Sequence, residues 1–98
     1  MLTSKQRAAL RGCANRIEAI FQVGKGGIGD TLIKQVDDAL TARELIKLKV
    51  LENCEYTARE VVEILAGETN SESVQVIGNK LVLFRRNPKK PSFDHCLK

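Results

Sequence analysis

Between residues 23 and 30 the chain can be neither regular helix nor regular strand, because Gly24, Gly26, Gly27 and Gly29 crowd around Lys25. Glycine loses the most conformational freedom when a regular element orders it, and it takes positive φ without a Cβ penalty. The stretch is therefore a turn, and its flanks say what it joins. On one side Ala19, Ile20, Phe21 and Val23 form a short apolar run of strand type. On the other, Leu32, Ile33, Val36 and Leu40 recur at helical spacing. A strand feeding a helix through glycines leaves unpaired N–H groups and the positive end of a helix dipole facing outward. With Lys25 added, the turn is a candidate anion site, and phosphate is the usual anion at such a junction. The phosphate could belong to a nucleotide or to a nucleic-acid backbone.

The other elements follow from the same kind of pattern. Thr3 and Ser4 can cap a first helix over residues 4–16, with Gln6, Leu10, Cys13, Ala14 and Ile17 on one side. The first strand spans 18–23, and the second helix runs from Asp30 or Thr31 to Leu40, with Asp30 suited to its first turn. Over 44–51 Ile46, Leu48 and Val50 point to one face and Lys47 and Lys49 to the other, which predicts a second strand. Thr57 to Glu60 is a capping box opening a third helix, expected to end near Ala66 with Gly67 as its stop. Residues 73–77 and 80–86 are strands joined by Gly78-Asn79, a two-residue hairpin signal. The predicted order is α-β-α-β-α-β-β, an α/β (α+β) fold with a mixed four-stranded sheet packed with helices. One domain is expected over 1–87, followed by a basic, loosely ordered tail over 88–98.

Composition sets bounds on function. The chain has 98 residues, 43% of them hydrophobic, enough for one core. Lys and Arg total 16 against 12 Asp and Glu, a formal charge of +4 that favours a polyanionic partner only weakly. Cys13, Cys54 and Cys96 are odd in number and lack a CxxC pair, which argues against a zinc ribbon or a disulfide framework. Cys13 and Cys54 are expected as small buried hydrophobes. No apolar run is long enough to span a bilayer and no signal core opens the chain, so the expectation is a reduced cytoplasmic protein without a membrane partner.

Two chemistries compete for the glycine turn. Lys25-Gly26-Gly27-Ile28-Gly29-Asp30-Thr31 looks like the variant P-loop of ParA- and MinD-type ATPases, but Asp30 stands where that loop needs a lysine on the phosphates. A carboxylate there repels a triphosphate, and the chain is short for a P-loop domain. The only histidine, His95, lies in the tail, and no catalytic dyad or metal-ligand spacing is present. The chain is therefore read as a non-enzyme with no cofactor, no metal and no small-molecule substrate. Gly24-Lys25-Gly26-Gly27 is also a G-x-x-G sequence, the loop type that clamps backbone nucleotides in KH domains. Basic residues gather elsewhere: Arg7 and Arg11 on the first helix, Lys47 and Lys49 on one strand face, Arg85 and Arg86 at the last strand's end, then Lys89 and Lys90. With 4% aromatic residues, base stacking is a poor basis for recognition, and structured RNA held by its backbone fits better. The rival reading is a protein-interaction adaptor whose basic surface meets an acidic protein.

Several stretches together resemble a known family. Leu2-Thr3-Ser4-Lys5-Gln6-Arg7 with Leu10-Arg11-Gly12, Val23-Gly24-Lys25-Gly26-Gly27-Ile28, Glu44 to Leu51 and Val76 to Arg85 are similar, in this order, to the stand-alone bacterial CRM-domain proteins of the YhbY type. CRM denotes chloroplast RNA splicing and ribosome maturation. The resemblance implies a fold like the C-terminal domain of translation initiation factor three. It implies RNA binding through Gly24, Lys25, Gly26 and Gly27, with Arg7, Arg11, Lys47, Lys49 and Arg85 as basic positions in matching stretches and Arg86 beside them. It further implies association with large-subunit ribosomal RNA or its precursor particle. Nothing in the pattern demands more than a monomer. Two departures are small: Glu18-Ala19 where the family often has proline before the strand, and Phe84 where tyrosine is common.

Overall fold

The computed structural model describes residues 2–89 and Phe93. Its elements are α1 (Ser4–Ala14), β1 (Ala19–Val23), α2 (Asp30–Arg43), β2 (Leu45–Val50), α3 (Ala58–Thr69), β3 (Glu72–Ile77) and β4 (Lys80–Phe84). The order is the expected one, and the fold is α+β with a mixed four-stranded sheet. Spatial order is β1-β2-β4-β3, with β1 parallel to β2 and both of β4's ladders antiparallel. The closing hairpin thus slots β4 between β2 and β3, leaving β1 and β3 as the two edges.

The reason is written in β4 itself. Leu81, Val82, Leu83 and Phe84 are all buried. An unbroken apolar strand requires cover on both faces, and β4 receives it from a core on each side of the sheet. Leu81 and Leu83 join the larger core with Val36 and Leu40 of α2, Ile46, Leu48 and Val50 of β2, and Val61, Val62 and Leu65 of α3. Val82 and Phe84 turn the other way and pack with Leu10 and Ala14 of α1, Leu45 and Val74. The sheet is a middle layer, with α1 on one face and α2 and α3 on the other.

Helix starts obey local chemistry. Thr57 Oγ1 accepts from Glu60 N at 3.2 Å while Glu60 Oε1 accepts from Thr57 N at 2.9 Å, the expected capping box. Thr3 and Gln6 repeat it at α1, with 3.1 and 2.9 Å.

Helix ends depart more from expectation. α1 stops at Ala14, short of Arg16, and α2 continues past Leu40 to Arg43. Glu44, expected as strand, caps α2 with φ 66° and is 2% exposed. Its carbonyl accepts from Arg85 N at 2.9 Å, and its carboxylate accepts from the backbone N–H groups of Asn87 at 2.6 Å and Phe93 at 3.2 Å. Those tertiary bonds hold a backbone conformation that a non-glycine residue adopts at a cost. α3 runs through Gly67 to Thr69, and Asn70 takes the left-handed cap at φ 57°. Strand β1 begins at Ala19 and β4 ends at Phe84, leaving Arg85 and Arg86 beyond the ladder. Cys13 and Cys54 are half-buried at the margins of the two cores. Within the segment expected to be loose, Phe93 sits edge-on to Phe84 with ring centroids 6.5 Å apart. Lys90, His95 and Cys96 lie outside the described residues.

Candidate nucleic-acid interface

The glycine turn is built so that its three glycines play different parts. Leu51 N donates to Val23 O at 2.8 Å, fixing the exit of β1 against the end of β2. Gly24 follows directly, and a Cβ there would come to 3.2 Å from Asn53 Oδ1 and 3.3 Å from Leu51 Cδ1. Gly27 N donates to Gly24 O at 2.9 Å, closing the turn, and Gly27 has φ +66°. Gly24 and Gly27 therefore serve the turn itself. Gly26 is different: no atom lies within 4 Å of where its Cβ would be. Its backbone is open to an approaching group, and Lys25 beside it is exposed.

The turn leads into α2 through Gly29, an N-cap with no side-chain hydrogen bond. The first N–H groups of α2 thus point outward without a side-chain acceptor. Gln22, Gly24, Gly26, Gly27, Gly29, Asp30 and Thr31 line a shallow cleft at this junction. Asp30 complements the helix dipole but opposes a phosphate seated on the helix axis.

The structure sorts the other basic residues into separate places. Lys49 pairs in register with Gln22, the residue before Val23, so it lies at the loop end of the sheet. Lys47 is two residues back on the same face. Arg7 and Arg11 stand at the opposite edge, along β3, where they are joined by Arg59 of α3. Arg7 Nε donates to Ser73 O at 3.0 Å, and its guanidinium is 4.0 Å from Glu72. Three inter-strand spacings of about 4.8 Å each separate the two edges.

Arg85 has a different occupation. Its guanidinium donates to Asp37 Oδ1 at 2.5 Å, Thr69 O at 2.7 Å, Asp37 O at 2.8 Å and Thr41 Oγ1 at 2.8 Å. Those bonds tie β4's end to α2 and α3 and leave little of the fork for a phosphate. Arg86 is exposed at the same end, far along β4 from the glycine loop. Arg59 and Lys80 were missed in the sequence. Arg59 carried no signal, being one charged residue in the first turn of a helix. Lys80 carried one, since Gly78-Asn79 places it on a defined strand face. Among the described residues no helix is long and apolar enough to cross a membrane, and no group of three His, Cys, Asp or Glu could hold a metal ion.

The fold is a helix-flanked mixed sheet with a lysine-bearing glycine loop at one corner, and comparison with known proteins identifies the family. The profile of the CRS1/YhbY (CRM) domain matches residues 2–85, so the chain belongs to the CRM-domain family. It is 47% identical over 94 residues to the Bacillus subtilis protein named Probable RNA-binding protein YqeI, covering 96% of this chain and 98% of that one. A Haemophilus influenzae protein named RNA-binding protein is 32% identical over 84 residues, covering 86% and 85%. The solution structure of Staphylococcus aureus SAV1595 superimposes with a TM-score of 0.75 at 51% identity, covering 88% of this chain and 90% of the other.

Proposed function

We propose that this protein binds structured ribosomal RNA of the large-subunit precursor during ribosome assembly, in the cytoplasm and as a monomer. The observation that carries the reading is Gly26: an open backbone position beside an exposed lysine, between Gly24, which is held by packing, and Gly27, which is held by φ. Gly26 lets main-chain N–H groups approach a phosphate, Lys25 supplies a point charge, and Lys47 and Lys49 orient the strand from the adjoining sheet. Arg7 and Arg11 contact RNA that reaches the far edge. RNA-binding names among the relatives support the ligand class.

The test is sedimentation of cell lysate through a gradient, probing for this protein at low and high salt. Enrichment in large-subunit precursor fractions at low salt, lost at high salt, is the expected result. Migration at the top of the gradient under all conditions would remove stable ribosome association. In binding assays with a large-subunit RNA transcript, Gly26→Asp abolishes binding with the fold intact, because its new carboxylate enters open space beside the phosphate path. An adaptor for acidic proteins that used the Lys47 and Lys49 face would tolerate that change.

A further inference from the structure

Helix α1 covers only part of its face of the sheet. It packs on Leu45, Val74, Val82 and Phe84 and ends at Ala14. Beyond it the face is open and carries three lysines. Lys49 and Lys80 are register partners in the β2–β4 ladder, so their Cβ atoms lie about 5 Å apart on one face. Lys47 is one same-face step along β2, about 7 Å away. Lys47 and Lys80 line a hollow with Asn15, Gln75, Ile77 and Val82, and no acidic side chain lines it. Among the described residues none of the three lysines forms an ion pair. On the flanking strands stand the two exposed large hydrophobics among the described residues, Ile20 on β1 at 37% and Ile77 on β3 at 61%.

Like charges placed directly opposite each other destabilise a sheet. Relief comes from an anion that bridges them. We propose that this open half-sheet is a second phosphate-binding surface for the same RNA, continuous with the glycine loop, with Lys80 as its anchor. The inference rests on the RNA-binding reading above. Continuity is provided by Gln22, which lines the loop's cleft and is the register partner of Lys49. The occupant is a nucleic-acid backbone because Lys47 and Lys49 step along β2 toward the loop end and Lys80 stands across from Lys49, three cations at sheet spacing next to the loop. A repeating phosphate chain can meet these cations and the loop in one pass. Ile20 and Ile77 give apolar borders for sugar edges. Lys80 is thus a binding residue whose position in the free protein is electrostatically unfavourable.

The experiment compares Lys49→Gln, Lys80→Gln and the double variant with Gly26→Asp. It measures affinity for a fluorescein-labelled stem-loop of large-subunit ribosomal RNA across a salt series, and the thermal midpoint without RNA. Polyglutamate is the competing probe. The expected result is a log–log salt slope shallower by about 0.7–0.9 for each lysine removed, with the thermal midpoint unchanged or raised. An unchanged slope in the double variant, with Gly26→Asp still abolishing binding, overturns the second surface and leaves the loop reading standing. A lowered thermal midpoint assigns the lysines to stability and also overturns it. Polyglutamate binding as tight as RNA, lost with the lysines, makes the surface a site for an acidic protein instead. Loss of binding in the lysine variants but not in Gly26→Asp supports the surface and overturns the loop.

Discussion

Gly24, Gly26 and Gly27 share one turn but answer to different forces, and substitutions separate them. Gly27 sits at φ +66° with Tyr56 and Glu55 atoms 4.0 Å from a notional Cβ. Gly27→Ala is expected to lower stability by about 1–2 kcal/mol through left-handed strain. Gly26→Ala, with open space and ordinary φ, should stay within about 0.5 kcal/mol of the parent. Urea denaturation of the pair checks this, and equal losses would mean that both glycines serve the turn. Which glycine is conformational and which is open was not legible in the sequence. The G-x-x-G pattern marks the turn, whereas Asn53, Leu51 and Tyr56 reach it from the far side of the crossover. Glu44 makes the same point from the opposite direction. As a sequence symbol it continued a strand, whereas bonds from Arg85, Asn87 and Phe93, distant in the chain, hold a buried carboxylate with positive φ there.

At the scale of elements, starts were easier to read than stops. A capping box is local, so Thr57 and Glu60 announce α3 without help from the rest of the chain. Its stop is decided by packing. Gly67 offers a natural end, yet the helix runs on because Thr69 is buried and its hydroxyl donates to Leu65 O at 2.6 Å. Asn70 then takes the left-handed cap, and Ser71 N donates to Ala66 O at 3.0 Å. Gly67 is therefore an exposed glycine inside a helix with nothing near its missing Cβ. Gly67→Ala should stabilise the protein by about 0.5–1 kcal/mol, from helix propensity and a less flexible unfolded chain. The thermal midpoint reads it, and a decrease would place the end of α3 at Gly67 after all. Thr57→Ala should cost about 1 kcal/mol by removing the cap.

For the molecule as a whole, Arg85 shows how far tertiary structure redistributes residues that look alike in sequence. It stands in a basic run at a strand's end, but its guanidinium joins Asp37 of α2 to the Thr69 carbonyl of α3. Arg85→Gln should lower stability by about 1–3 kcal/mol, by stripping charge-assisted bonds from a junction of three elements. The salt slope for RNA should stay unchanged, and a shallower slope would return Arg85 to the RNA-binding set. By itself the sequence determined the element order, the hairpin, and the glycine turn with its lysine. All of these rest on periodicities and backbone preferences that act over a few residues. Only the tertiary structure decided that β4 inserts between β2 and β3 and that Arg7 and Arg11 lie an entire sheet away from the glycine loop. It also set Lys80 against Lys49 and turned Arg85 inward. These are outcomes of strand order and register, which depend on how two apolar faces are covered at once, and that is a property of the packed chain.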